Sequence, residues 1–229
     1  MKLNKLTDGI WVIEGNRISF LTFPYEIRAT VVDLGGGELL VHSPVQIEAA
    51  SLLNDLPGQV KYIVSPNKLH SLFLEDWQKV YPQAKIYAPP GLMAKRPQVA
   101  FYKELTNEPE PEWRHVLDQT LVQGSWFMSE VVFFHKSSGS LILGDLIENH
   151  DPKKLGWIYR VAARAVAILA PKGTTARIFR WTFIHRKITR PALQEILNWN
   201  VQRVIVNHGP IVETNAHAFL QNAFQWALE

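Results

Sequence analysis

Three short apolar runs in this chain each end in polar residues of metal-ligand type. Tyr62-Ile63-Val64 runs into Ser65-Pro66-Asn67-Lys68-Leu69-His70. Leu141-Ile142-Leu143-Gly144 runs into Asp145, and Val204-Ile205-Val206-Asn207 into His208-Gly209-Pro210. Short aliphatic runs between breakers read as buried strands. Active sites of α/β architectures gather at such strand ends, because a rigid sheet holds loop side chains in place. Imidazole and carboxylate suit Zn²⁺, Fe²⁺ or Mn²⁺. Taken singly, Asp145 could cap a helix, His208 could be a turn residue donating to a carbonyl, and His70 could be a satisfied helix-start histidine. Their joint recurrence points to a shared site.

The remaining elements alternate strand and helix twice, once in each half. Ile10–Gly15 and Arg17–Phe23 predict two strands with a turn at Gly15-Asn16, and Ala29–Leu34, Gly35-Gly36-Gly37 and Glu38–His42 a hairpin. Helical spacing covers Val45–Leu56 up to Pro57-Gly58, and a second helix covers Leu72–Tyr81. Lys85–Ala88 is a strand, and Lys95–Pro111 reads as helix plus loop. Further strands are expected at Thr120–Gln123, Glu130–Lys136, Ser140–Gly144 and Arg203–Val206. Pro191–Asn198 reads as a helix with proline near its first turn, and Ala216–Leu228 as a C-terminal helix. This order predicts a two-sheet core flanked by helices.

Charge is unevenly spread. Between Asp151 and Arg190 ten basic residues face one acidic residue, a net +9 within a chain of +3, so the remainder carries −6. Such a block either attracts an anionic partner or is a solvated helical surface. Trp157, Tyr159, Phe179 and Trp181 interleave with arginine there, which is compatible with base stacking. Arg160–Ala170 reads equally as an amphipathic helix over the site's mouth or on a membrane. A weak membrane-surface contact through 151–190 is retained, nucleic-acid binding is not expected, and the oligomeric state is left open. With no cysteine there are no disulfides and no thiolate ligands. The N-terminus lacks the apolar stretch of a secretory signal and no apolar run reaches membrane-spanning length, so a cytoplasmic location is expected.

Leu6-Thr7-Asp8-Gly9-Ile10-Trp11-Val12, the hairpin to Leu39–Ser43, the strand and loop at 62–71, Leu141–Asp145 and Asn207–Pro210 follow one another in a familiar order. Along nearly the whole chain that order resembles the metallo-β-lactamase superfamily, and most of all its DUF4336 branch with a Pro-Asn-x-x-His loop. The resemblance implies an α/β fold, a four-layer αββα sandwich of two mixed β-sheets flanked by helices. It implies one domain over 1–229, with a basic helical insertion at about 151–190.

The superfamily's hydrolases carry Thr-His-x-His-x-Asp-His after the strand matching 61–64. Here the first metal's two histidines fall on Pro66 and Lys68, and its third on Trp126, so that half-site looks dismantled. In the second half-site the Asp position falls on His70, its adjacent His on Ser71, the bridging Asp on Asp145 and the last His on His208. A one-residue gap near Leu69 would instead give His70 the last-His place. The resemblance thus leaves His70, Asp145 and His208 as ligands for at most one divalent metal, Zn or Fe/Mn. Asn67 could bond a bound water or order its own loop. His42 stands where the family often has an Asp; it either supports the ligand loop or is a packed strand-end histidine. Among the other histidines, His115, His135, His150, His185 and His217 show no mutual ligand spacing, and only His150 is near enough to Asp145 to be a spare ligand.

Two functions follow. One is a metal-dependent hydrolase acting on an ester, thioester or phosphoester with an anionic group. In it Asp145 and Lys68 are the catalytic residues, and Asn67, Ser71, His42 and Trp126 support the ligands or contact the substrate. The other is a catalytically inactive pseudoenzyme without metal that binds an anion or a partner.

Overall fold

The computed structural model describes residues 2–47 and 55–229. Among these residues a seven-stranded sheet runs in the order β1-β2-β5-β6-β7-β8-β9. Its strands are β1 (Leu3–Thr7), β2 (Ile10–Glu14), β5 (Arg28–Asp33), β6 (Glu38–His42), β7 (Gln59–Val64), β8 (Lys85–Ala88) and β9 (Phe101–Glu104). Pairing is antiparallel up to β6 and parallel from β6 to β9. A four-stranded sheet holds β10 (Leu117–Val122), β11 (Glu130–His135), β12 (Ser140–Leu143) and β13 (Arg203–Val206) in sequence order, with β12 and β13 parallel. β3 (Ile18–Phe20) and β4 (Phe23–Tyr25) pair only with each other. The helices are α1 (Leu74–Val80), α2 (Trp157–Ala165), α3 (Arg177–Arg180), α4 (Arg186–Asn198) and α5 (Ala216–Leu228).

Successive residues of a strand face opposite ways, and here both faces are covered. On β11, Val131 and Phe133 join Ile10, Val12, Tyr62, Val64, Ile142 and Ile205 in a core between the sheets. Val132 and Phe134 point the other way, to Leu193 and Ile196 of α4 and Leu220 and Phe224 of α5. The outer face of the larger sheet, with Val31, Val41, Ile63 and Ile86, packs on Leu74 and Trp77 of α1. Strands buried on both faces must be near-continuously apolar, which is why these segments were legible as runs. α5 buries Phe219, Leu220, Ala223, Phe224 and Ala227, an i, i+1, i+4, i+5, i+8 stripe; burying Leu220 and Phe224 stabilises by about 2–3 kcal/mol each. The layers are helix, sheet, sheet, helix, the αββα sandwich expected from the sequence.

Several elements differ from the sequence reading. The strand at 17–23 does not pair with β2. Gly15 N–H donates to the Ile27 carbonyl at 2.8 Å, so β2 carries on beside β5, and β3–β4 turn on their own at Leu21 and Thr22, both at positive φ. The stretch 95–111 holds edge strand β9 rather than an α-helix; its half-exposed, charged Phe101–Glu104 suits an edge. β10 starts three residues early, at Leu117. α4 starts at Arg186, which places Pro191 inside it, because proline withdraws only its own N–H and the preceding turn closes through bonds such as Ile188 N–His185 O at 2.9 Å. In the basic segment helix is confined to a 3₁₀ turn at Pro152–Lys154, α2, α3 and the start of α4. The helix expected over 45–56 falls largely on 48–54, outside the described residues.

Candidate metal centre

Sheet register brings the three strand ends together. β12 and β13 are parallel with Leu143 beside Val206, so Asp145 and His208 each lie two residues beyond a paired position. β6 and β7 are parallel with His42 beside Val64, which sets Ser43 next to the loop Ser65–His70. One ligand atom from each of His70, Asp145 and His208 falls within 4.8 Å of the others. His208 Nε2 is 2.9 Å from Asp145 Oδ1, and His70 Nε2 is 3.1 Å from Asp145 Oδ2. All three side chains are under 10% exposed.

The hydrogen bonds around these groups define what they can hold. His208 Nδ1 lies 2.7 Å from the Glu26 carbonyl. A carbonyl only accepts, so Nδ1 carries the hydrogen, and a neutral His208 then turns the lone pair of Nε2 towards a carboxylate oxygen. Two acceptors 2.9 Å apart need a cation between them, a proton or a metal ion. Burial lowers the His208 pKa, but the bond and charge of Asp145 outweigh it and raise it overall. Burial likewise pushes Asp145 up, and the His70 charge with the His208 bond holds it well below the usual carboxylate range. His70 Nδ1 meets the Ser43 hydroxyl at 2.5 Å and Asn207 Nδ2 at 3.1 Å. The Asn207 amide nitrogen only donates, so His70 Nδ1 accepts and a neutral His70 carries its hydrogen on Nε2, facing Asp145.

A second carboxylate frames the first. Glu130 is buried at the head of β11; the β11–β12 register, continued past Phe133–Ile142, sets it opposite Asp145. It accepts from the backbone N–H of Gly144 at 2.8 Å, Asp145 at 2.7 Å and Leu146 at 3.1 Å. Asn67 Nδ2 donates to Glu130 at 2.7 Å and to Asp145 at 2.9 Å, while Asn67 Oδ1 accepts from Leu69 N at 2.8 Å. Burial and the Asp145 charge raise the Glu130 pKa against these donors. Glycine is needed at 144, where a Cβ would sit 2.9 Å from Asn67 Nδ2 and 3.0 Å from Glu130 Oε2. Arg28 ties the His208 loop to the larger sheet, donating to Val206 O at 2.5 Å and Gly209 O at 2.9 Å.

A cavity of about 540 Å³ opens over the three residues. Ile18, Tyr25, Ile27, Leu72, Phe73 and Phe179 supply apolar wall, and Lys68, Lys95 and Arg96 supply positive charge. Ser71 lines it too, accepting from Arg96 Nε at 3.3 Å. Glu148 reaches the cavity and pairs with His150 at 2.8 Å, and the His150 ring stacks on His208 with centroids 6.0 Å apart.

Of the residues singled out from sequence, His70, Asp145, His208, Asn67, Lys68 and Ser71 come together here. His42 and Trp126 do not join them. His42 is fully buried, packs edge-on against Phe133 and has neither ring nitrogen bonded among the described residues. Burial, then the nearby His70 charge, lowers its pKa to about 3. Trp126 is 71% exposed and packs on Phe127, away from the cavity. Glu130, Ser43, Asn207 and Glu148 were not singled out from sequence. Only Asn207, directly before His208, carried a local signal.

Solved structures similar to this one share its architecture. DIM-1 metallo-β-lactamase exposed to ceftazidime superposes with a TM-score of 0.68 at 16% identity, over 99% of this chain and 95% of that one. FIM-1 from Pseudomonas aeruginosa in its mono-zinc form gives 0.65 at 14%, over 99% and 94%. The metal-soaked Flv1 flavodiiron core from Synechocystis sp. PCC6803 gives 0.66 at 13%, over 99% of this chain and 60% of that one. The sequence matches no curated protein. At such identities these likenesses show the fold alone, which is that of the metallo-β-lactamases. Residues 7–154 match the family model described as "Domain of unknown function (DUF4336)", and the chain belongs to that family.

Proposed function

We propose that the protein is a metallo-hydrolase-like enzyme in which His70, Asp145 and His208 hold one divalent cation, zinc or else iron or manganese, and which acts on an ester, thioester or phosphoester bearing an anionic group. The observation that carries this is the convergence of one ligand atom from each of His70, Asp145 and His208 within 4.8 Å of the others, with His208 Nδ1 held on the Glu26 carbonyl so that Nε2 faces Asp145. Two imidazoles and a carboxylate are a suitable donor set for such an ion. A cation there supplies Lewis acidity, which acidifies water from a pKa of about 16 towards 7 and polarises a carbonyl or phosphoryl oxygen.

The chain's own groups complete the reading. Lys68, Lys95 and Arg96 hold the anionic group, and the apolar wall takes the rest of the substrate and excludes water. Glu148, which lines the cavity and pairs with His150, is the chain's own candidate to take or return a proton. Pro66 and Lys68 occupy the loop where the superfamily's hydrolases carry two histidines, so the reading stops at one metal.

One observation favours the pseudoenzyme alternative. Both oxygens of Asp145 already have partners in His70, His208 and Asn67, so protons alone can close the site. Metal analysis of protein purified without chelator or affinity-tag metal separates the two. Stoichiometric zinc, iron or manganese that disappears in His70→Ala and Asp145→Ala supports the enzyme. Metal-free protein whose stability zinc does not change leaves the binding protein.

A further inference from the structure

The segment 151–190 carries a feature the metal site does not use. Among the large hydrophobic side chains left exposed, Trp157, Ile158, Val161, Ile178, Trp181, Ile184 and Ile188 all belong to it. Trp157, Ile158 and Val161 occupy positions i, i+1 and i+4 of α2, one side of the helix. The opposite side, with Tyr159 and Ala163, packs with Leu155, Ile168 and Ala176 in a small core of its own. The exposed side is therefore not what folds the helix.

Cations are interleaved with this apolar surface. Arg160 and Arg164 lie on α2, and Arg180, Arg186, Lys187 and Arg190 share a groove with Trp181, Ile184 and Ile188. Trp126 joins the same region, with its backbone N–H on the Thr182 carbonyl at 3.1 Å and its neighbour Phe127 stacked on Phe179 at 5.5 Å. Phe179 also lines the cavity over the metal centre.

From this we infer that the segment 157–188 is a docking surface for an anionic lipid bilayer, which seats the protein with its cavity beside the membrane. Tryptophan, isoleucine and valine bury into the headgroup–acyl boundary while lysine and arginine meet lipid phosphates. Other occupants fit the same surface less well. A second copy meeting it face to face would bring +7 against +7. A nucleic acid would neutralise the charge and stack on the tryptophans, but it offers nothing in which to bury Ile158, Val161, Ile178, Ile184 and Ile188.

Co-sedimentation with phosphatidylcholine vesicles, with and without phosphatidylglycerol, tests this. The full chain pellets with the phosphatidylglycerol vesicles and far less with phosphatidylcholine alone, and added salt releases it. Two double variants, Trp157→Ser with Trp181→Ser and Arg160→Glu with Arg164→Glu, each bind at least about tenfold more weakly. Both keep the wild-type far-ultraviolet circular dichroism and Tm, since the altered side chains are exposed. Failure to pellet, or equal binding to both vesicle types, overturns the inference. So does undiminished binding by both variants. A dimer that the variants disperse assigns the face to a second copy instead, and salt-sensitive binding of a single-stranded oligonucleotide without vesicle binding assigns it to nucleic acid.

Discussion

Asn67 Nδ2 lies 2.7 Å from Glu130 Oε2, joining the loop after β7 in the larger sheet to the head of β11 in the smaller one. The same nitrogen reaches Asp145, so one amide spaces two buried carboxylates.

Glu130→Gln tests how much this frame matters. The substitution places an NH₂ group among four donors, leaving at least one of them without an acceptor in a buried place. The expected loss is about 3 kcal/mol, a fall in Tm of roughly 6–12 °C for a chain of this size. Differential scanning calorimetry reading the wild-type midpoint would refute the role.

Zinc should stabilise the native protein by mass action. At about 100 times its Kd it adds about 2.7 kcal/mol, and a chelator such as EDTA returns Tm to the metal-free value. His70→Ala, Asp145→Ala and His208→Ala each remove the zinc-dependent part of Tm. An equal zinc response in all three would place the ion elsewhere.

Gly144→Ala should weaken the centre from outside the ligand set. The added methyl meets Asn67 Nδ2 at 2.9 Å and the Pro66 ring at 3.2 Å, so the Asp145 turn must shift. A stability loss of about 1–3 kcal/mol is expected, with zinc affinity by isothermal titration falling about tenfold or more. Wild-type affinity in this variant would show that the turn is not held as described.

His42 gives a pH dependence. Its native pKa is lowered to about 3 while the unfolded value is near 6.5. The folded state therefore keeps it neutral, and the unfolded state takes up a proton below about pH 6.5. This contribution is present in full above that pH and is lost as pH falls, by about 1.4 kcal/mol per unit, until the native ring protonates near pH 3. His42→Leu should flatten the Tm–pH curve between pH 6 and 4 relative to wild type. Parallel curves would mean that His42 is charged or solvated in the native protein.

Much of the fold was legible because so many strands are covered on both sides. β6, β8, β13 and α5 fall where apolar runs between breakers put them, and the ligand-type residues stood out at the ends of those runs. The β3–β4 hairpin read as a single strand over 17–23, since its turn uses Leu21 and Thr22 rather than glycine and it pairs with neither sheet. Glu130 was hidden for a different reason. In sequence it is a polar residue opening a strand, and only the antiparallel register of β11 with β12 sets it under the Gly144–Leu146 turn. Trp126 stands ahead of β11 where the resemblance put it, but its side chain is 71% exposed and lies outside the cavity lining, which no feature of the local sequence signals.

The parallel alignment of Leu143 with Val206 also bears on how the centre comes into being. A slip of one place between β12 and β13 would turn every side chain of one strand inside out and carry Asp145 away from His208. Burial of Leu141, Leu143, Val204 and Val206 against the helices forbids that slip. Hydrophobic sorting during folding therefore also brings Asp145 and His208 together, so the geometry of the candidate centre is a by-product of correct strand pairing rather than something its polar residues must find for themselves.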